Sequence, residues 1–298
     1  TPTAASSVFA INEAGTNDSP TNNFTVGFDP DMNINTTTAG NQKFILTRLL
    51  GTNFLKTNAT SAQTDQSDAS FFGGPTGTID LNTDFFATTS TVISWSWARA
   101  KGFFDILVTK SLDSQVTHNL GVAPEIVLYK RRDATSDWFF CTGVDGFGKI
   151  NTDAAFGGTQ NGAGTGSNLA NATATNVYGG SVFVGGADRD MVIYLFATAA
   201  GVSKVGSFTQ SGATNVACGF TGSTPALIIL KRTDSSGGWY AFDSSRGIVA
   251  GNDKSVFLND TAVEVTNADI VDPYSGGFAT TSSLTDGDYI FYAIAAIS

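Results

Sequence analysis

Charge is what this sequence has least of. Lys, Arg, Asp and Glu make up 14% of its 298 residues, against about a quarter in an ordinary globular chain. Sixteen basic residues face 26 acidic ones, for a net charge of −10. So little positive charge argues against a nucleic-acid partner, whose backbone must be neutralised, and against docking on an anionic membrane surface. Cysteine is nearly missing as well. Cys141 and Cys218 cannot make a disulfide framework or a zinc site and are expected as small buried apolar residues. Long apolar runs are absent: "YIFYAIAAI" and "MVIYLFA" fall far short of the ~18 residues of a membrane span. No cleavable signal is evident. The sequence opens on Thr1 rather than Met, which leaves room for a leader ahead of it.

Histidine occurs once, as His118 in "VTHNLGVAP", and is expected to bond a turn backbone. There is no "GxSxG" elbow and no spacing that suggests a Cys-His pair. Asp and Glu stand singly in turns, without the pair of facing carboxylates that glycoside hydrolysis needs. The weakest exclusion is calcium. "DPDMN" offers Asp29, Asp31 and Asn33, "GADRD" offers Asp188 and Asp190, and "TDGD" offers Asp286 and Asp288, but none has the twelve-residue loop with its Gly and Glu. The glycine-rich 156–168 has no Lys-bearing helix after it to make a phosphate cradle. No catalytic residue, metal site or cofactor is expected, and the protein is expected not to be an enzyme.

What is present is repetition. "GVAPEIVLYKRRDATSDW" (121–138) returns as "GSTPALIILKRTDSSGGW" (222–239), with Pro124 and Pro225 101 residues apart. Pro30, 94 residues before Pro124, heads a weaker copy in "GFDPDMNI". Fourteen residues after each Pro stand Phe44, Trp138 and Trp239; these are expected to be equivalent, as core aromatics or as sugar-stacking platforms. "FLKTN", "KINTD" and "VFLND" sit past the middle of each copy, and each copy closes on an apolar strand ending in Ala. The closing strand of one copy runs into the next with almost no linker, which predicts closely abutting units.

No helical period is sustained. Short runs of Val, Ile, Phe, Tyr, Trp and Thr are broken by turn residues every 8 to 12 positions, the pattern of sandwiches and barrels. The fold expected is all-β: three tandem antiparallel β-sandwich (jelly-roll-like) repeats over residues 1–100, 101–200 and 201–298. In the middle copy strands are expected near 103–110, 125–132, 137–142, 149–152, 181–185 and 190–198. "EIVLYK" and "MVIYLF" should be central, with both faces covered. Trp95 and Trp97 alternate and share one face, half-buried or at a junction. Lys130, Arg131, Arg132, Lys231 and Arg232 form no stripe and are expected as edge or turn charges.

The segments "GFFDIL…HNLGVAPEIVLYKRRDATSDW", "IYLFATAAGVSKVGSF" and "DSSRGIVAGND…FLNDTAVEV…VDPYSGGF…YIFYAIA" resemble a family of tandem all-β domains in tail-fibre-like and other structural proteins of bacteriophages, especially marine and cyanobacterial ones. The match is good over the second and third copies and weaker over the first. It implies a virion surface protein, a tail fibre or appendage or a capsid decoration, without known catalytic residues. Its partners would be other virion proteins and copies of itself, and a host surface glycan if it is instead an adhesin using exposed aromatics. No nucleic acid and no membrane insertion are expected. A polysaccharide depolymerase is the remaining alternative. The loop 154–180, rich in Gly, Ala and Asn, is the expected assembly contact.

Overall fold

The computed structural model describes residues 1–14, 21–67, 71–72, 77–82, 91–143, 146–157, 169, 171–222 and 224–297. The fold is all-β, a set of antiparallel sheets packed as sandwiches.

Three larger sheets share one strand order. In residues 1–100 it is Phe9–Ala14, Val92–Trp97, Met32–Thr37, Phe44–Thr47 and Asn53–Lys56. In 101–200 it is Phe104–Lys110, Asp190–Phe196, Ile126–Arg131, Trp138–Thr142 and Gly146–Lys149. In 201–298 it is Ser203–Gln210, Gly287–Ile294, Leu227–Arg232, Trp239–Asp243 and Asp253–Phe257. We call these the opening, closing, proline, hairpin and fifth strands of the first, second and third segments. The closing and proline strands lie in the middle, as the apolar, β-branched and aromatic runs of the second and third segments require, because both their faces are covered.

Each proline strand begins two residues after its Pro, where a residue without an N–H costs the ladder nothing. Alternation then sorts its side chains onto two faces. Residues two and four after the Pro, such as Met32 and Ile34 or Ile126 and Leu128, enter one apolar core that takes members from all three segments. Residues three and five after it face a smaller second sheet. That sheet is Thr21–Thr25 with Thr78–Asn82 in the first segment. It is Gln115–Thr117 with Asn176–Tyr178 in the second, and Thr214–Ala217, Gly277–Thr280 and Val271–Tyr274 in the third. The outer cores of the first two segments are separate clusters around Phe24, Leu46 and Ile79, and around Tyr129, Val177 and Ile193.

Several expectations need correction. Residues Ser181–Val184 form a helical turn, not a strand. Gly180 and Gly185, both at φ +80°, turn the chain into and out of it. The strand expected at 149–152 runs Gly146–Lys149. The strands at 115–117 and 176–178 had no signal, being three residues each.

Phe44 is not the counterpart of Trp138 and Trp239. Lys130 pairs with Trp138 and Lys231 with Trp239, but Asn35, not Thr36, pairs with Phe44. The first hairpin turn is one residue shorter, so Lys43 takes the tryptophan position. A one-residue slip moves a side chain to the other face, and Phe44 accordingly lies in the outer core. The same place is marked by backbone bonds. The N–H groups of Lys43, Trp138 and Trp239 donate to the side chains of Asn58, Asn151 and Asn259 at 3.1, 2.9 and 2.8 Å.

Candidate functional site

The most built region of the molecule is where the segments meet. After each fifth strand the chain straps across the hairpin turn of another segment. Gln63 N–H donates to Arg132 O at 2.9 Å and Ser136 N–H to Thr60 O at 2.9 Å, joining first to second. Phe156 N–H donates to Thr233 O at 2.9 Å and Gly237 N–H to Asp153 O at 2.8 Å, joining second to third. Glu264 N–H donates to Thr38 O at 2.9 Å, joining third to first. The straps therefore close a ring.

Side chains repeat the scheme. Trp138 Nε1 donates to Lys56 O at 2.8 Å and Trp239 Nε1 to Lys149 O at 3.1 Å, each reaching the preceding segment. At the third junction Thr57 Oγ1 donates to Leu258 O at 2.8 Å and Asn58 Nδ2 to Asp260 O at 3.3 Å. Two closing-strand residues opposite the fourth position after a Pro do the same, in the second and first segments. Tyr194 Oη shares a proton with Thr47 Oγ1 at 2.7 Å, and Trp95 Nε1 donates to Asp243 Oδ2 at 2.9 Å.

Lys130 and Lys231, expected as turn charges, are fully buried. Their ammonium groups sit at the junctions and donate to carbonyls of both segments: Ser136 O (2.8 Å) and Thr60 O (3.1 Å) for Lys130, Gly237 O (2.7 Å) and Asp153 O (3.0 Å) for Lys231. Lys43 is also fully buried and donates to Asn41 O at 3.0 Å. Burial disfavours the charged form, so all three are lowered to about 8. These lysines look polar in sequence, but one of the two carbonyls that receive Lys130, and one of the two that receive Lys231, comes from the preceding segment, which the pattern of one copy cannot show. Arg131 and Arg232 do behave as turn charges, each forking onto an Asp two residues on, Asp133 and Asp234, at 2.7 Å.

The third junction has an added ionic cluster. Arg246 Nε donates to Asp243 Oδ2 at 2.8 Å and Nη1 to Glu264 Oε1 at 2.9 Å. Its guanidinium lies 5.7 Å from the Trp95 ring centroid, the range of a cation–π contact. On the inner side of the ring is an apolar cavity of about 50 Å³, lined by Met32, Ile34, Leu128, Phe140, Ile229, Trp239 and others from all three segments. With almost no polar lining it is of the kind that stays dry.

The remaining sequence candidates are engaged in structure. His118 is 5% exposed, and its Nδ1 accepts from Leu120 N–H at 3.2 Å; burial lowers its pKa. Asp29 accepts from Gly77 N–H and Asp31 pairs with Arg99 at 3.3 Å. Asn33 points into the first sandwich, so the three do not converge. Asp190 pairs with Lys110 at 2.7 Å. Asp286 and Asp288 accept from Gly212 N–H and Thr209 Oγ1. Among the described residues no cluster of three or more His, Cys, Asp or Glu could hold a metal, and no helix is long and apolar enough to cross a membrane. Cys141 and Cys218 are free and buried, and burial pushes the Cys218 thiol up to about 12. All four tryptophans are buried, which removes them as exposed stacking platforms, and Trp95 and Trp97 take the junction position. Of the loop 154–180, residues 158–168 and 170 lie outside the described residues. Its flanks are built in: Phe156 packs on Trp239, Leu169 is buried and Asn176–Tyr178 is a strand.

These features define an all-β body in which three antiparallel sandwich segments hold one another through a common core and a closed set of straps. The chain belongs to the DUF7483 family, described as a domain of unknown function, whose model matches residues 4–296. No curated protein and no solved structure matches the chain.

Proposed function

We propose that this protein is a non-enzymatic structural protein of the bacteriophage virion surface, in a tail appendage or a capsid decoration, and that it acts by assembly with other virion proteins. The observation that carries this reading is where its chemically capable groups are used. Lys130, Lys231, Asp243, Arg246, Asp31 and His118 all hold backbone, turns or neighbouring segments. A sheet body fixed at every junction is rigid, and rigid surfaces bind with little loss of conformational entropy. The resemblance of the second and third segments to phage structural domains supports the same reading.

The experiment is to purify particles that carry this protein and find the chain in their density map. Deleting residues 158–168 then tests the assembly surface. Lost incorporation supports an assembly role, and normal incorporation with normal host adsorption rejects one for this loop. Cleavage products on incubation with host envelope glycans would reject the non-enzymatic reading in favour of a depolymerase.

A further inference from the structure

The three segments serve as an internal comparison for the inner core. Level with the fourth position after each Pro, Ile34 faces Ile45, Leu128 faces Phe140 and Ile229 faces Ala241. A second set of equivalents follows the fifth strands. The N–H groups of Thr57, Ile150 and Leu258 donate to the carbonyls of Lys43, Trp138 and Trp239 at 2.9, 3.1 and 2.9 Å. Each set has one small member, Ala241 in the third segment and Thr57 in the first. Those are the two segments of the third junction.

A layer that follows one plan but lacks side-chain volume at such places keeps a void, because the surrounding sheets relax only in part. The void is the apolar cavity of about 50 Å³. Ile34, Leu128 and Ile229 line it, together with Thr57, Ile150 and Leu258. Ile229, opposite the alanine, is only partly buried, whereas Ile34 and Leu128 are each 7% exposed. The missing volume thus shows as uncovered apolar surface on the wall that faces Ala241.

We propose that this cavity is a binding site for a small apolar guest, a short hydrocarbon or a single large inert atom, held by contact alone. One water takes about 10–15 Å³ of such space, so the guest has roughly three or four heavy atoms at most. The lining sets its chemistry. Thr57 Oγ1 donates to Leu258 O, and the Lys231 ammonium donates to Gly237 O and Asp153 O. Trp97 Nε1 and Tyr292 Oη have no partner among the described residues, but both atoms are sealed from contact even with water. A guest that gave up hydrogen bonds to solvent would therefore regain none. An apolar guest gives up none and gains dispersion contacts that the empty void forfeits. All three segments supply walls, so the guest binds only the assembled body and stabilises the three together. This inference is independent of where the protein resides in a particle.

The test uses the full chain. Crystals are pressurised with xenon, and thermal melting is followed under xenon and under propane. The expected result is a xenon peak bounded by Ile34, Leu128 and Ile229, and a single melting transition that rises with gas pressure. Ile229→Phe grows into the void and should weaken xenon binding about tenfold or more. Leu128→Ala widens it, and its melting should rise with benzene while that of the unchanged chain does not; this variant carries the test should Ile229→Phe not fold. Ordered water in the cavity in place of xenon, unchanged xenon binding in Ile229→Phe, or a Leu128→Ala variant indifferent to benzene overturns the proposal.

Discussion

Trp138 donates its indole N–H to the carbonyl of Lys56, 82 residues earlier in the chain and in another segment, at 2.8 Å. The ring is fully buried and stacks on Tyr194 with centroids 6.1 Å apart. It is both a core filler and a junction. Trp138→Ala should therefore cost about 3–5 kcal/mol. Trp138→Phe keeps most of the volume but leaves the Lys56 carbonyl unmet, and should cost about 1–3 kcal/mol. Denaturant unfolding of both variants checks the order, and a loss below about 1 kcal/mol for the alanine variant would contradict the assigned role.

Stability should rise between pH 7 and 9. Lys43, Lys130 and Lys231 titrate near 8 when folded, against 10.5 for the unperturbed group. The unfolded chain thus holds more protons across that interval, and stability increases with pH there. Above 9 the rise is opposed, because Cys141 and Cys218 ionise near 9.0 when unfolded but are held up by burial when folded. Tyr194 and Tyr292 add to the opposition from about 10.0. In a Lys130→Met/Lys231→Met variant the rise should shrink by on the order of 1 kcal/mol per lysine. Denaturation midpoints at several pH values decide it; a flat wild-type profile would refute the assignment.

Gly40 tests the third junction. It sits at φ +77°, and a Cβ placed there would lie 2.5 Å from the carbonyl oxygen of Thr261. Gly185, at φ +80° and ψ 32° in the left-handed region, has nothing within 4 Å of such a Cβ. Gly185→Ala should cost only the ~1–2 kcal/mol of left-handed strain. Gly40→Ala should cost clearly more, because the strap must also move. Equal melting temperatures for the two variants would show that the close approach is not maintained.

Arg246→Met should be severe. It leaves Asp243, fully buried, and Glu264 without their guanidinium. Breaking a buried pair on one side costs about 3–5 kcal/mol. The loss should be visible in calorimetry as a shift of a single transition, since the core is continuous across segments. A separate early transition for the third segment would contradict that shared core.

Much of the fold was legible. The proline strands, the apolar closing strands and the match of Trp138 to Trp239 follow from period-2 patterning and turn chemistry. What local pattern does not carry has physical causes. Spacing from Pro30 cannot reveal a hairpin turn one residue shorter, so it points to Phe44 at the place where Lys43 stands. Lys130 and Lys231 read as solvent-facing because their carbonyl partners, Thr60 and Asp153, belong to segments that no local pattern connects to them. The buried polar quartet of the first segment, Asn33, Asn35, Ser94 and Ser96, was visible as letters but not as an anomaly. Its meaning depends on register, which alone places Asn35 level with Tyr129 and Leu230.

The closed ring of straps has a consequence for heredity. An assembly of three identical chains must bear every surface feature three times, and any change appears at all three places together. Here the segments are joined in one chain, so each junction and each outer face can vary alone. Arg246 braces one junction of three, and the Asn and Ser quartet stands in one sandwich of three. Such a molecule keeps the mutual support of a trimer while offering its surroundings three different sides.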